Sequence, residues 1–157
     1  MTTKLLVFSK DRACQLDFLL RSLSNLAEIP QVSILFKAST EEYIKGYEKV
    51  FNKQNNLTIL KESNFESDTK SLITLYPTDN TGFSTDDTVI FRKFKHNFPR
   101  LKPNQCLSLR LGLNTVLQDY TCGMVQPPLN RYVRDGDLIK WNPLEYHPQH
   151  NYGYPYS

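Results

Sequence analysis

Three times in about the first 75 residues, a short apolar run gives way to a polar turn and then to an apolar stripe of helical period. The first unit runs from Lys4-Leu5-Leu6-Val7-Phe8-Ser9 through Lys10-Asp11-Arg12 to Leu16, Leu19, Leu20, Leu23, Leu26 and Ala27, and Pro30 closes it. An i, i+3, i+4, i+7 stripe turns one helical face to a core, and Asp11 has the chemistry of its N-cap. In the second unit, Val32 to Phe36 reads as a strand. Ser39 with Glu42 has capping-box spacing before a helix that buries Ile44, Tyr47, Val50 and Phe51. The third begins with the strand Leu57 to Leu60. Ser63 with Glu66 repeats the signal ahead of a helix facing inward through Phe65, Thr69, Leu72, Ile73 and Tyr76. Strands alternating with helices predict a three-layer α/β/α, Rossmann-like fold on a mostly parallel sheet with right-handed crossovers. Sheets of this kind bind ligands outside the carboxyl ends of their strands. The turns Lys10-Asp11-Arg12 and Lys37-Ala38-Ser39 fall on that edge.

So does Asp86-Asp87, which stands between Gly82-Phe83-Ser84-Thr85 and the apolar run Val89-Ile90-Phe91. Adjacent carboxylates repel, so folding alone gives little reason to pair them in a half-buried place. A solvated turn is one reading; a divalent cation is the other, because Mg²⁺ is commonly held by one or two carboxylates while substrate phosphates and water complete its shell.

After the aspartates the pattern changes. Cys106 to Leu113 alternates, with Leu107, Leu109, Leu111 and Leu113 on one face and Ser108, Arg110 and Gly112 on the other, as in a half-buried strand. Residues 131 to 141 read as a hairpin around Asp135-Gly136. Antiparallel additions to the sheet are therefore expected after residue 100. From Asn142 onward the chain is polar, aromatic and proline-bearing.

The 157 residues, 39% hydrophobic and 22% charged, suit one globular domain. A net charge of +3 accommodates an anionic ligand but lacks the basic stripe of a nucleic-acid binder. No apolar run approaches the ~18 residues of a membrane span, and the Met-Thr-Thr-Lys start shows no signal peptide. Cys14, Cys106 and Cys122 are odd in number and lack metal-type spacing. Reduced thiols and a cytoplasmic location are the corresponding expectation.

Taken together, Val7-Phe8-Ser9-Lys10-Asp11-Arg12, the helix from Leu16 to Leu23, Thr85-Asp86-Asp87, Ser108-Leu109-Arg110-Leu111-Gly112, the Trp141 region and the closing Gly153-Tyr154-Pro155-Tyr156-Ser157 resemble the GT-A-fold glycosyltransferases. These depend on nucleotide sugars and carry a DxD or adjacent-Asp motif; the likeness is to a bacterial, family 2-like subgroup. The resemblance implies sugar transfer from a nucleotide-diphosphate donor to a saccharide, a lipid-linked glycan or a protein, assisted by Mn²⁺ or Mg²⁺. It implies that Phe8, Ser9, Lys10, Asp11 and Arg12 border the nucleotide, that Asp87 ligates the metal, and that Asp86 contacts the ribose or the metal shell. It divides the single domain of residues 1–157 into donor-binding units over 1–91 and a partial acceptor-side segment over 92–157, without an identifiable general base, as though the family's chain continued beyond Ser157. Where relatives place an acidic residue to read the base, this chain has Lys37-Ala38-Ser39.

Two other functions compete. A nucleotidyltransferase shares the sheet and the metal but favours a glycine-rich loop, and Ser9-Lys10-Asp11-Arg12-Ala13 has no glycine. A truncated or degenerate GT-A module would bind nucleotide, or a partner, without turnover. His147 and His150 are further metal-ligand candidates, and Arg110 is a phosphate or acceptor candidate. Trp141 with Tyr146, Tyr152, Tyr154 and Tyr156 is a candidate sugar-stacking surface; the alternative for each is a structural role.

Overall fold

The structure, a computed structural model, describes residues 2–94 together with 101–102, 105, 107, 117–119, 124–125, 133–135 and 138–140. The chain divides into two compact units, Met1–Arg100 and Leu101–Ser157.

In the first unit, β1 (Thr3–Lys10), β2 (Gln31–Lys37), β3 (Leu57–Lys61) and β4 (Asn80–Thr85) form one parallel sheet in the order β3-β2-β1-β4. The helices α1 (Ala13–Ser22), α2 (Glu41–Phe51) and α3 (Phe65–Leu75) connect successive strands. This is the α/β, Rossmann-like arrangement that the repeating units predict.

Side-chain parity explains the layers. Successive residues of a strand point to opposite faces. Val7, Val32, Ile34 and Phe36 therefore share a face, where they pack with Leu16, Leu19 and Leu20 of α1 and with Tyr47 and Val50 of α2. Leu6 and Leu35 point the other way and meet Leu72 of α3, with Phe8 and Leu60 alongside. Each such side chain removed from water contributes about 1.5–3 kcal/mol. Because α1 and α2 cover one face and α3 the other, the winding reverses between β1 and β4.

Lys4 shares the face of Leu6 and is fully buried. Its Nζ donates to the carbonyls of Leu72 at 3.0 Å, Ile73 at 2.9 Å and Tyr76 at 2.7 Å. These are carbonyls that the end of a helix leaves without intrahelical partners, and a cation there also complements the helix dipole.

The three helix starts each lie one residue beyond the expected cap. Arg12 occupies the N-cap of α1, with no capping side chain, and Asp11 instead has φ 57°. Thr40 caps α2, accepting from the Tyr43 amide, and Asn64 caps α3, accepting from the Ser67 amide. The serines expected in those roles are bound to aspartates: Ser39 donates through N–H and hydroxyl to Asp11, and Ser63 does the same to Asp68. On α3, Leu72 is buried, while Phe65, Ile73 and Tyr76 are exposed. After the aspartates, Ile90 and Phe94 pack against the core cluster that α1 and α2 share, and the Asn25 side chain donates to the Ile90 carbonyl at 2.6 Å.

In the second unit, β5 (Leu117–Asp119) pairs antiparallel with β6 (Met124–Val125), and β7 (Val133–Asp135) with β8 (Leu138–Lys140). The latter is the expected hairpin, with Asp135 opposite Leu138. The alternating stretch beyond Leu107, including Arg110, and Cys106, Cys122, Trp141, His147, His150 and the closing tyrosines lie outside the described residues.

Replacing Lys4 by Met should destabilise the protein by about 2–4 kcal/mol, because the backbone carbonyls remain buried after their donor is removed. Urea unfolding measures this; a loss under about 1 kcal/mol would mean that the three bonds do not hold α3 in place.

Candidate functional site

Register and parity dictate which residues meet at the carboxyl end of the sheet. Phe8 pairs with Thr85, so the next residues along the two strands, Ser9 and Asp86, turn to the same face. That is the face of α2, from which Tyr47 projects. Ser9 Oγ lies 2.7 Å from Asp86 Oδ2 and 2.6 Å from Tyr47 Oη, and the Arg12 amide donates to Tyr47 Oη at 3.1 Å. The proton inventory fixes the direction. A carboxylate only accepts, so the single Ser9 proton goes to Asp86, and Tyr47 must donate its own to Ser9. A directed chain results, from Arg12 N–H through Tyr47 and Ser9 to Asp86. All three side chains are buried. Burial pushes the Tyr47 phenol above its usual 10.0, partly offset by its hydrogen bonds with Ser9 and the Arg12 amide.

Asp86 is further fixed by its amide, which donates to the Phe8 carbonyl at 3.1 Å. A tight turn follows, with the Thr88 amide on the Thr85 carbonyl at 3.2 Å and the Thr85 hydroxyl on Asp87 Oδ1 at 2.5 Å. The side chain of Asp87 is 57% exposed, against 5% for Asp86. One carboxylate is thus built into the protein and its neighbour faces solvent. The Arg12 guanidinium stands 3.8 Å from Asp86 Oδ1 and 4.0 Å from Asp87 Oδ2.

Beside them, Asp11 spans the β1 and β2 turns. Its amide donates to the Lys37 carbonyl at 3.0 Å, and its carboxylate accepts the Ser39 amide and hydroxyl, each at 2.6 Å. Asp tolerates positive φ better than most residues, and these bonds compensate the strain. The Ser39 hydroxyl and then its amide hold the Asp11 carboxyl below the usual 3.8. Lys37 pairs with Glu62 at 2.8 Å.

Of the sequence candidates, the fold brings Ser9, Arg12, Asp86 and Asp87 together and sets Asp11 next to them. Phe8 does not join them; its ring lies on the α3 face, 5.2 Å from Phe65 and 6.3 Å from Phe83 between centroids. Lys10 is exposed opposite Lys37 and makes no ion pair among the described residues. Sequence reasoning missed Tyr47, whose position in an apolar stripe signals core and not a polar junction. Its hydroxyl, on a residue six positions into α2, was the available cue.

No group of three or more His, Cys, Asp or Glu side chains capable of holding a metal occurs among the described residues. Asp86 and Asp87 nevertheless match the one or two carboxylates that Mg²⁺ takes from a protein when phosphates supply other ligands. The guanidinium between them marks a place where positive charge is stabilised. No helix among the described residues is long and apolar enough to cross a membrane.

No family model and no solved structure matches the chain. It is similar to the bifunctional glycosyltransferase pgtA of Dictyostelium discoideum, 26% identical over 177 aligned residues that take in 98% of this chain. The chain spans 23% of that protein's length.

Replacing Tyr47 by Phe should cost about 1–3 kcal/mol, since the Arg12 amide loses its acceptor and Ser9 its donor; chemical denaturation reads the loss, and none at all would make the chain of bonds incidental. A second expectation concerns acid. Asp11 and Asp68 both titrate below their usual 3.8, Asp68 because the Ser63 and Asn64 amides bond it. Their contribution is complete above pH 3.8 and is lost as pH falls through the lowered folded values. Asp11→Asn with Asp68→Asn should flatten the decline in the urea midpoint below that pH, and an unchanged slope would rule out these two groups as its source.

Proposed function

We propose that the chain is a glycosyltransferase domain of the GT-A type, which takes a sugar from a nucleotide-diphosphate donor with the help of Mn²⁺ or Mg²⁺. The observation that carries this reading is the position of Asp86-Asp87 beside Arg12. They stand at the carboxyl edge of a parallel sheet where the winding reverses, the place at which such sheets bind nucleotides. The similarity to pgtA supports sugar transfer as the reaction class.

In this reading Asp87, exposed and adjoining the fixed Asp86, is the principal cation ligand. Asp86 contributes through Oδ1, since Oδ2 is committed to Ser9. The cation would neutralise charge that grows on the diphosphate as the glycosidic bond breaks. The chain's own residues do the rest. Ser9 and Tyr47 keep Asp86 in one orientation, so little reorganisation is needed when the donor arrives. Asp11 and Ser39 fix the two turns against which the nucleoside rests. The acceptor is a saccharide, a lipid-linked glycan or a protein.

Calorimetry with UDP, GDP and CDP, with and without Mn²⁺, tests the reading. One nucleotide should bind in a Mn²⁺-dependent way, and Asp87→Asn should weaken that binding at least about 10–100-fold, the loss typical even of a partner one step removed from a metal. Equal affinities with Mn²⁺ present would sink the assignment of Asp87; no nucleotide binding at all would sink the function.

A further inference from the structure

The Arg12 guanidinium is held at 3.8 and 4.0 Å from the two aspartates, distances that mark ion pairing without a hydrogen bond. Its side chain is 55% exposed. No other side chain forms an ion pair with Asp86 or Asp87 among the described residues. The backbone of the same residue is pinned, its amide to Tyr47 at 3.1 Å and its carbonyl to the Leu16 amide at 3.1 Å. Arg12 is therefore a residue with a fixed backbone and an exposed charge.

We infer that Arg12 is a removable counter-ion: in the free protein it neutralises Asp86 and Asp87 and keeps a divalent cation off them, and it leaves when a nucleotide's diphosphate offers it a replacement anion. The inference rests on the donor-and-cation reading above and adds an order of events to it. Two adjacent carboxylates, one of them buried, need compensating positive charge when no ligand is present. A guanidinium supplies it, but a divalent ion brought to the same oxygens meets a like charge about 4 Å away, where repulsion is substantial near a protein surface. A diphosphate resolves the conflict, because the planar guanidinium pairs with phosphate in two parallel hydrogen bonds, better than it pairs with carboxylates it does not touch. Lys10 cannot substitute, since strand parity turns it to the opposite face from Ser9. Cation and nucleotide binding are then positively coupled, and the coupling is reciprocal.

The test is a Mn²⁺ titration of the full chain, followed through the paramagnetic resonance of the free ion, with and without UDP or GDP. Wild type, Arg12→Gln and Arg12→Lys are compared. Without nucleotide, Arg12→Gln should bind Mn²⁺ about fivefold more tightly than wild type, the scale of a partly exposed ion pair, and Arg12→Lys should stay near wild type. The nucleotide should strengthen Mn²⁺ binding more in wild type than in Arg12→Gln. Folding of the variant is read independently, because Mn²⁺ should raise its melting temperature more than that of wild type. Equal or weaker Mn²⁺ binding by Arg12→Gln, or identical nucleotide coupling in both proteins, overturns the inference while leaving the function standing if Asp87→Asn still abolishes binding. Mn²⁺ bound by no protein under any condition overturns both.

Discussion

Ser9 has one proton to donate and two neighbours at short distance, Asp86 at 2.7 Å and Tyr47 at 2.6 Å, and it is buried with both. Those two bonds tie three elements that are far apart in the chain: the end of β1, the second helix and the turn that follows β4. A buried carboxylate without such a donor would be costly. With it, Asp86 becomes a fixed point around which the exposed side chains of Asp87 and Arg12 are arranged. Hydrogen bonds that run in one direction polarise one another, so the Arg12 amide, Tyr47 and Ser9 act on Asp86 together. The precision of the site is thus decided in the dry interior, one layer below the charged surface that would meet a ligand.

Holding β1 in place requires a second arrangement on the opposite face. There Lys4 closes the end of α3 with three donated bonds, and Phe8 lies between Phe65 and Phe83. The α3 face owes its attachment to fewer apolar side chains than the α1–α2 face, since Leu6, Leu35 and Leu72 form its buried core. A cation on helix carbonyls supplements a modest hydrophobic contact. The strand that carries Ser9 is thereby fastened from both sides.

Strand and helix order was legible in the sequence because it depends on periodicity, which a chain states locally. The stripe Leu16, Leu19, Leu20 is buried as its spacing requires, and so are Tyr47 with Val50 and the run from Val32 to Phe36. The caps were not legible to the residue. Ser39 and Ser63 carry the right chemistry, but in each case an aspartate takes the serine's amide and hydroxyl protons, and capping passes to the next residue. Asp11 lies 28 positions before Ser39, so that outcome is tertiary and no local rule anticipates it. Tyr47 is the same lesson from another direction. Its ring belongs to the apolar stripe that the pattern shows, while its hydroxyl reaches two partners that only the folded sheet brings near. The stretch Gly82-Phe83-Ser84 has little of the apolar character of the other parallel strands. It forms β4 because β1 offers a complete ladder from Thr3 to Phe8 for it to join.

The same period of two divides labour between the faces of the two central strands. Along β1, Lys4, Leu6 and Phe8 serve the α3 side, while Leu5, Val7 and Ser9 serve the α1–α2 side and the site. Along β4, Phe83 and Thr85 fall on the first side, and Gly82, Ser84 and Asp86 on the second. Leu5 opposes Gly82 and Val7 opposes Ser84 on this second side. A slip of one residue in β4 would put Thr85 in the place of Asp86, and one in β1 would carry Lys4 away from the carbonyls of α3 and turn Ser9 away from Tyr47, exchanging one face for the other. The aspartate pair gains its meaning from this alignment. Two carboxylates at the end of a strand are ordinary surface residues until parity decides that one is held by Ser9 in the interior and the other faces solvent beside Arg12.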